Sequence, residues 1–192
     1  MGGRLVPALQ IVDWLIGHGI PATIFPTGDA ASTTTGRAVL ARVAAHPELF
    51  AIGNHSWSHP DFRTLSAPAI ADQLDRTEAY VRGQTGRTTR PFFRPPYGGQ
   101  NLAVRTATGA AGWAYTVMWE VDTIDSKPIK DGGPTAAQMI AKIDANATAG
   151  SIVLMHLGGY ETYDALPAIV EGLAANGLTP VTLSTLLDTS RG

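Results

Sequence analysis

The chain has 192 residues, of which 44% are hydrophobic and 16% charged, with a formal net charge of −2 and no cysteine. This length suits one compact domain over residues 1–192, and the balanced charge argues against nucleic acid as a partner. The absence of cysteine excludes disulfides and thiolate ligands, so any metal site must be built from nitrogen and oxygen atoms.

The first residues, Met1 to Leu5, lead straight into a helical pattern, so we expect no signal peptide in this stretch. No apolar run approaches the roughly 18 residues that a membrane span requires. We therefore expect no membrane span, and the sequence leaves the cellular compartment open.

Apolar residues recur at spacings of three and four in several segments, which predicts amphipathic helices. These helices are expected at residues 5–17, 37–46, 67–83, 101–111, 135–147 and 163–176. Short runs rich in β-branched and aromatic residues predict strands between them. The strands are expected at residues 22–25, 50–53, 92–93, 114–119, 151–155 and 179–183, before a closing turn at 184–187. This alternation predicts parallel β/α units packed as a barrel or an open sheet.

Two histidines four residues apart, His55 and His59, follow the second predicted strand. On a helical turn, or a tight loop like one, side chains at this spacing face the same way and both imidazoles can reach one divalent ion. Other polar clusters follow later apolar runs, at residues 93–98, 119–122 and 151–156. Because loops after barrel strands collect at one face, we expect these clusters to form one site. Its expected members are His55, His59, Arg94, Tyr97, Asp122 and His156.

Each candidate also has a purely structural explanation. The two histidines could lie in a solvated loop, and the segment at residues 94–98 could be a stiff turn, since paired prolines and glycine suit one. His156 could be a buried core histidine, and Asp122 could cap a strand end or form a surface ion pair.

The clusters resemble, in order and spacing, the motifs of the NodB-homology polysaccharide deacetylases of carbohydrate esterase family 4, over about residues 5–187. The matching motifs are H-S-x-x-H, the R-P-P-Y-G turn, the strand ending in L-M-H, and T-x-x-A-L-P at residues 162–167. The resemblance implies an α/β fold, a distorted (β/α) barrel that binds one divalent ion, usually zinc, with cobalt as another candidate. Such enzymes hydrolyse acetyl groups from N- or O-acetylated polysaccharides such as chitin, peptidoglycan or acetyl-xylan.

The resemblance also implies catalytic roles. His55 and His59 are the expected metal ligands, and His156 is the expected general acid. An imidazole with a pKa near ~6.5 suits that role, because it can be protonated before attack and donate afterwards. Arg94 and Asp122 match the pair that orients the catalytic carboxylate. The guanidinium of Arg94 is a planar fork suited to holding a carboxylate.

Substrate contacts are implied at four further points. The backbone N–H of Tyr97 is expected at the oxyanion, and Leu154 is expected to line the acetyl pocket. Pro96 and Trp57 are expected at the cleft. The implied partner is an acetylated polysaccharide or oligosaccharide, the implied location is secreted or in the cell envelope, and the chain is expected to be a monomer or a dimer.

Two departures from the family pattern stand out. The family begins with a strand ending in T-F-D-D-G, whose aspartates are the general base and the third metal ligand, and this motif is missing from the sequence. Ser126 follows Asp125 where the family usually has tryptophan. We therefore expect a strand-deleted enzyme of low activity, with uncovered sheet edges that favour pairing between chains.

Two alternative functions remain open. One is a non-catalytic carbohydrate- or metal-binding domain that keeps the cleft. The other is a deacylase of small cyclic amides on the same barrel.

Overall fold

The computed structural model describes residues 4–188, in which helices alternate with short strands. The helices are α1 (Ala8–Gly17), α2 (Gly28–Ala31), α3 (Thr34–Ala45), α4 (Ala67–Thr85), α5 (Leu102–Ala110), α6 (Ala136–Asn146), α7 (Thr162–Ala175) and α8 (Leu183–Leu186). The strands are β1 (Ala22–Ile24), β2 (Phe50–Ile52), β3 (Phe92–Phe93), β4 (Tyr115–Thr116), β5 (Val121–Asp122) and β6 (Val153–Leu154). The six predicted long helices are confirmed.

Side-chain caps explain where several helices begin and end. The Ser66 hydroxyl accepts a first-turn N–H of α4, and Thr135 forms a capping box with Gln138 at the start of α6. Helix α4 ends at Thr85, and Gly86 follows it with φ 69°, a left-handed conformation that glycine adopts without strain. No helix within residues 4–188 has the length and hydropathy that a bilayer crossing requires.

The strand predicted at residues 179–183 is wrong. Thr182 does have an extended backbone, with φ −73° and ψ 160°, but its hydroxyl accepts the Thr185 N–H and caps α8. Pro180 has no N–H with which to join a ladder. A β-rich run therefore serves here as the entry to a helix.

The strands form three pairs, β1 with β2, β3 with β4, and β5 with β6. The second and third pairs are parallel, with Phe93 opposite Thr116 and Asp122 opposite Leu154. The loop after β2 is joined to β3 by a single parallel bridge that includes Asn54. Parallel pairing between alternating helices confirms the α/β class. Closure of the strands into a distorted barrel stays a prediction.

Contacts divide the chain into two compact units. The central unit is Thr23–Met118, and the terminal unit combines Arg4–Ala22 with the described residues from Trp119 onward. The core cluster of the central unit consists of Phe62, Ile70, Leu74, Phe93, Val104 and Trp113. That of the terminal unit consists of Val121, Met139, Ile143, Ala165 and Ile169. The assignment of residues 1–192 to one domain stays a prediction.

The core of the central unit offers a matched pair of leucine truncations. Leu74 is fully buried in α4, whereas Leu102 is 72% exposed at the start of α5. We expect Leu74→Ala to lower the free energy of unfolding by about 3 kcal/mol, through lost burial and a residual cavity. Leu102→Ala should change it by less than about 0.5 kcal/mol. Urea denaturation of both variants measures the difference, and equal losses would contradict the assigned core.

Candidate functional site

The histidine loop, residues 54–59, follows β2 and carries both predicted metal ligands. His55 Nδ1 lies 2.7 Å from the carbonyl oxygen of Arg94. A carbonyl only accepts hydrogen bonds, so Nδ1 must carry a hydrogen and donate it. In neutral His55 the lone pair is then on Nε2, which lies 3.1 Å from Nε2 of His59.

This arrangement fits a divalent ion as a two-ligand half-site. Two imidazole nitrogens bound to one tetrahedral zinc at ~2.05 Å lie roughly 3.3 Å apart, close to the 3.1 Å between Nε2 of His55 and Nε2 of His59. The fixed tautomer of His55 aims the correct nitrogen, as expected of a ligating histidine whose other nitrogen bonds a carbonyl. Within residues 4–188, no group of three His, Asp or Glu side chains is placed to hold an ion.

The pKa of His55 is lowered well below its usual value. Burial is the largest cause, and the nearby charges of His59 and Arg94 act in the same direction, while the bond to the Arg94 carbonyl opposes them. The ring therefore stays neutral at neutral pH. Only a neutral imidazole has a lone pair to offer to a metal ion.

Left-handed backbone conformations shape the histidine loop. Ser56 has φ 79° and His59 has φ 61°, values that non-glycine residues adopt at a cost of roughly 1 kcal/mol or more. Hydrogen bonds hold them there, because Asn54 Oδ1 accepts the Ser56 N–H and Ser56 Oγ accepts the His59 N–H, each at 3.0 Å. The side-chain oxygen of Gln73 in α4 also accepts the N–H groups of residues 57 and 58.

Arg94 immediately follows β3 and is almost completely buried. Its guanidinium lies over the Phe25 ring, 4.4 Å from the centroid. Burial lowers the pKa of Arg94 to about 10, which leaves the side chain cationic at neutral pH. The residue thus contributes a backbone carbonyl to His55 and a buried positive charge to the central unit.

Three further predicted residues of the central unit are Trp57, within the histidine loop, and Pro96 and Tyr97, in the segment after β3. Tyr97 has a left-handed backbone conformation, with φ 57°, and the residue is 72% exposed. Its ring lies edge-on to the His59 ring, with 4.6 Å between the two ring centroids. Pro96 is buried beside it. Trp57 packs against Tyr80 in α4, a contact that supports a packing role. Their predicted contacts with substrate stay predictions.

In the terminal unit, His156 is held by a carboxylate that the sequence analysis assigned to no role. His156 Nδ1 lies 2.6 Å from Oδ1 of Asp125, and the backbone N–H of His156 donates to Oδ2 at 2.8 Å. The Thr162 hydroxyl, at the start of α7, donates to the same Oδ2 at 2.5 Å. Gly159 packs so closely that a side chain there would collide with Asp125 and Thr162. The His156 ring is therefore fixed through Nδ1, which leaves Nε2 to act on other groups.

The Asp125 carboxylate stays ionised although its side chain has no solvent exposure. Burial alone raises the pKa of Asp125, but the hydrogen bonds from His156 and Thr162 and the charge of the imidazolium outweigh it, so the pKa is lowered overall.

The neighbouring candidates of the terminal unit have local partners. Asp122, at the end of β5, accepts the Ile124 N–H at 2.8 Å. Leu154, in β6, is buried, and its carbonyl accepts the Thr123 hydroxyl. The roles predicted for Asp122 and Leu154 stay predictions.

The structure therefore brings together two groups, each within one unit. His55, His59 and Tyr97 are in contact, with the Arg94 carbonyl, in the central unit. His156 and Asp125 are bonded in the terminal unit. That these groups form one site at one face of a barrel stays a prediction. The signal for Asp125 was in the sequence, since it is the second aspartate of the Asp122-Thr123-Ile124-Asp125 segment.

The model of the polysaccharide deacetylase family matches residues 8–116. The chain belongs to the polysaccharide deacetylase family. A peptidoglycan-N-acetylglucosamine deacetylase of Bacillus cereus is 30% identical over 95% of this chain and 64% of its own length. A chitin deacetylase of Pestalotiopsis is 29% identical over 93% of this chain and 58% of its own.

A solved structure of this fold is also similar. It is a pseudoenzyme of carbohydrate esterase family 4 from Bacillus anthracis, with a TM-score of 0.82 and 28% identity over 98% of this chain and 63% of that one. The chain thus has the fold of these deacetylases. The chain spans less than two thirds of the length of each of these three proteins.

The buried Asp125 carboxylate predicts a specific pH dependence of stability. Its pKa is lower in the folded chain than in the unfolded one, where it is about 3.9. Its contribution is therefore fully present above pH ~4 and lost as the pH falls through the folded pKa. We expect Asp125→Asn to lower the free energy of unfolding by about 2 kcal/mol at pH 7, a deficit that shrinks at acidic pH.

The matched control is Asp122→Asn, three residues before Asp125, because the Asp122 carboxylate accepts the backbone N–H of Ile124 in an exposed turn. Its effect at pH 7 should be less than about 1 kcal/mol. Denaturation of both variants between pH 3 and pH 7 makes the comparison. A pH-independent deficit for Asp125→Asn would contradict the ionised carboxylate.

Proposed function

We propose that the protein is a divalent-metal-dependent polysaccharide deacetylase, which hydrolyses acetyl groups from N- or O-acetylated sugars. The observation that carries the proposal is the fixed His55 tautomer, which aims Nε2 at His59 in a chain of this family. The bond between His156 and the buried Asp125 carboxylate supports His156 as the acid that amide hydrolysis needs. We take zinc as the ion, because two imidazoles and no thiolate suit it.

The reaction places three demands on the protein. The attacking water must lose a proton to the solvent as it adds to the acetyl carbonyl, and the oxyanion must be stabilised. The leaving nitrogen, or oxygen in an ester, must receive a proton as its bond to carbon breaks. The bound ion supplies Lewis acidity, polarising the carbonyl and lowering the pKa of water. His55 and His59 would hold that ion, each through Nε2. The strained turn at Tyr97 is proposed to direct its backbone N–H to the oxyanion.

His156 is proposed as the general acid. Because Nδ1 is bonded to Asp125, the proton available for transfer is on Nε2. Asp125 stabilises the imidazolium before transfer and fixes the ring during it, as the buried carboxylate does for the histidine of a catalytic triad. After the transfer the products are acetate and a free amine, or an alcohol for an O-acetyl substrate.

The remaining predicted roles complete the proposal. Arg94 supplies a buried cation that orients a carboxylate, Asp122 is its proposed partner, and Leu154 lines the acetyl pocket. Trp57 and Pro96 border the sugar. The strands are proposed to close into a distorted barrel, and the substrate is proposed to be peptidoglycan, chitin or acetyl-xylan, the first two being named in the relatives described above.

A second candidate function is a non-catalytic domain that binds metal or carbohydrate. Two observations favour it. Residues 4–188 supply a two-ligand half-site and no group of three, and the similar structure from Bacillus anthracis is a pseudoenzyme. Calorimetry with an acetylated oligosaccharide, beside an acetate-release assay with added zinc or cobalt, separates the two functions.

The general acid provides the sharpest test of catalysis. We expect His156→Ala to reduce acetate release from acetylated chito-oligosaccharide by roughly 100-fold or more, because the leaving amine then lacks its proton donor. His46→Ala is the control, since His46 follows α3 and pairs with the exposed Glu48. The control should keep wild-type activity. Glycan binding without acetate release from the wild-type protein would instead support the second candidate.

A further inference from the structure

We propose that Thr89 is a positioning residue for the histidine loop, which it orients through Asn54. Thr89 lies just before β3 and touches neither imidazole. A continuous chain of hydrogen bonds nevertheless runs from Glu78 through Thr89, Asn54 and Ser56 to the backbone of His59. The inference rests on the proposed function only in taking the two imidazoles as metal ligands.

The Thr89 hydroxyl has every hydrogen-bonding position filled. Its hydrogen goes to Glu78 Oε2 at 2.6 Å, and its oxygen accepts from Asn54 Nδ2 and from Trp113 Nε1, each at 3.2 Å. An ionised carboxylate only accepts, so Glu78 dictates that this hydroxyl donates to it and accepts from the other two. Burial raises the pKa of Glu78, but the bonds from Thr89 and Thr88 lower it overall, which keeps the carboxylate ionised.

Because the Thr89 hydroxyl donates to Glu78, it can only accept from Asn54, and this fixes the orientation of the Asn54 amide. Its NH2 group donates to Thr89 and to the Leu74 carbonyl, the latter at 2.9 Å. The amide oxygen is thereby turned toward the Ser56 N–H, 3.0 Å away. The opposite orientation would set the NH2 group against that N–H and leave a buried donor unsatisfied.

The Asn54 oxygen acts on the strained part of the histidine loop. Ser56 is fully buried with φ 79°, and its amide is held in that conformation by Asn54. The Ser56 hydroxyl then accepts the His59 N–H at 3.0 Å, and His59 also has positive φ. The position of the His59 ring beside His55 therefore depends on a hydroxyl that lies 30 residues further along the chain.

A purely structural role for Thr89 would have different consequences. The same network joins α4 to the segment before β3, and the loss of a buried hydroxyl alone would lower stability. Thr108 offers a matched comparison, because it is also a fully buried threonine of the central unit. Its hydroxyl bonds only within the α5 segment in the described geometry, to the Arg105 carbonyl. Among the residues that the structure describes, no hydrogen bond joins the Thr108 side chain to the histidine loop.

The experiment compares Thr89→Val, Thr89→Ser and Thr108→Val. Long-range 1H–15N spectra of the metal-free proteins report the tautomer and exchange of each imidazole, and calorimetric titration with zinc reports affinity. We expect Thr89→Val to broaden or shift the His55 and His59 ring signals and to weaken zinc binding about tenfold. Thr89→Ser should keep the wild-type ring signals and zinc affinity, because it keeps the hydroxyl. Thr108→Val should also leave the ring signals and the zinc affinity unchanged, although its melting temperature falls.

Unchanged ring signals in Thr89→Val would overturn the proposal, as would equal changes in Thr108→Val. If Thr89→Val does not fold, Thr89→Ala is measured in its place. Failure of both to fold while Thr108→Val folds would make Thr89 purely structural and also contradict the proposal. If the wild-type protein binds no zinc, the proposed function fails, but the ring spectra still decide the role of Thr89.

Discussion

The hydrogen bond from His55 Nδ1 to the Arg94 carbonyl is the interaction on which the proposed chemistry of the central unit depends. It ties the loop after β2 to the residue after β3, and it selects the His55 tautomer whose Nε2 faces His59. Burial adds to this by keeping the ring neutral. The spacing makes the two histidines a candidate metal site, and a distant backbone carbonyl adds the orientation of the His55 ring.

In the terminal unit, a carboxylate orients a histidine ring in a similar way. Asp125 fixes Nδ1 of His156 and remains ionised inside the protein because donors surround it. In both units, one ring nitrogen is committed to a buried acceptor, which leaves the other nitrogen for chemistry. The acceptor differs with the role proposed for each histidine. A neutral carbonyl suits a ring that must offer a lone pair, whereas an ionised carboxylate suits a ring that must hold a proton.

The sequence predicted the helices well because periodicity and caps act locally. The apolar spacing and the Thr135 capping box lie within the segment that they specify. The strands were harder, because pairs of two or three residues carry little pattern, and the extended Thr182 proved to be a helix cap. The Val121–Asp122 strand was assigned to no element for the same reason.

For the candidate site, too, local features could be predicted from the sequence and distant contacts could not. The i, i+4 spacing was enough to predict the contact between His55 and His59. It could not reveal the acceptor of His55, which is 39 residues away, nor the bond between Asp125 and His156, which are 31 residues apart. The spacing of residues within a motif does not predict hydrogen bonds between residues that are far apart in the sequence. Such partners follow from the fold, and the resemblance to the family had marked only the neighbourhood of Asp125.

The most direct test of the account is to locate a bound ion. Crystals grown with zinc can be measured on both sides of the zinc absorption edge, so that the anomalous signal marks the metal alone. The account predicts one strong peak about 2.1 Å from Nε2 of both His55 and His59, with His55 Nδ1 still bonded to the Arg94 carbonyl. A protein saturated with zinc that shows no peak at these two nitrogens would contradict it.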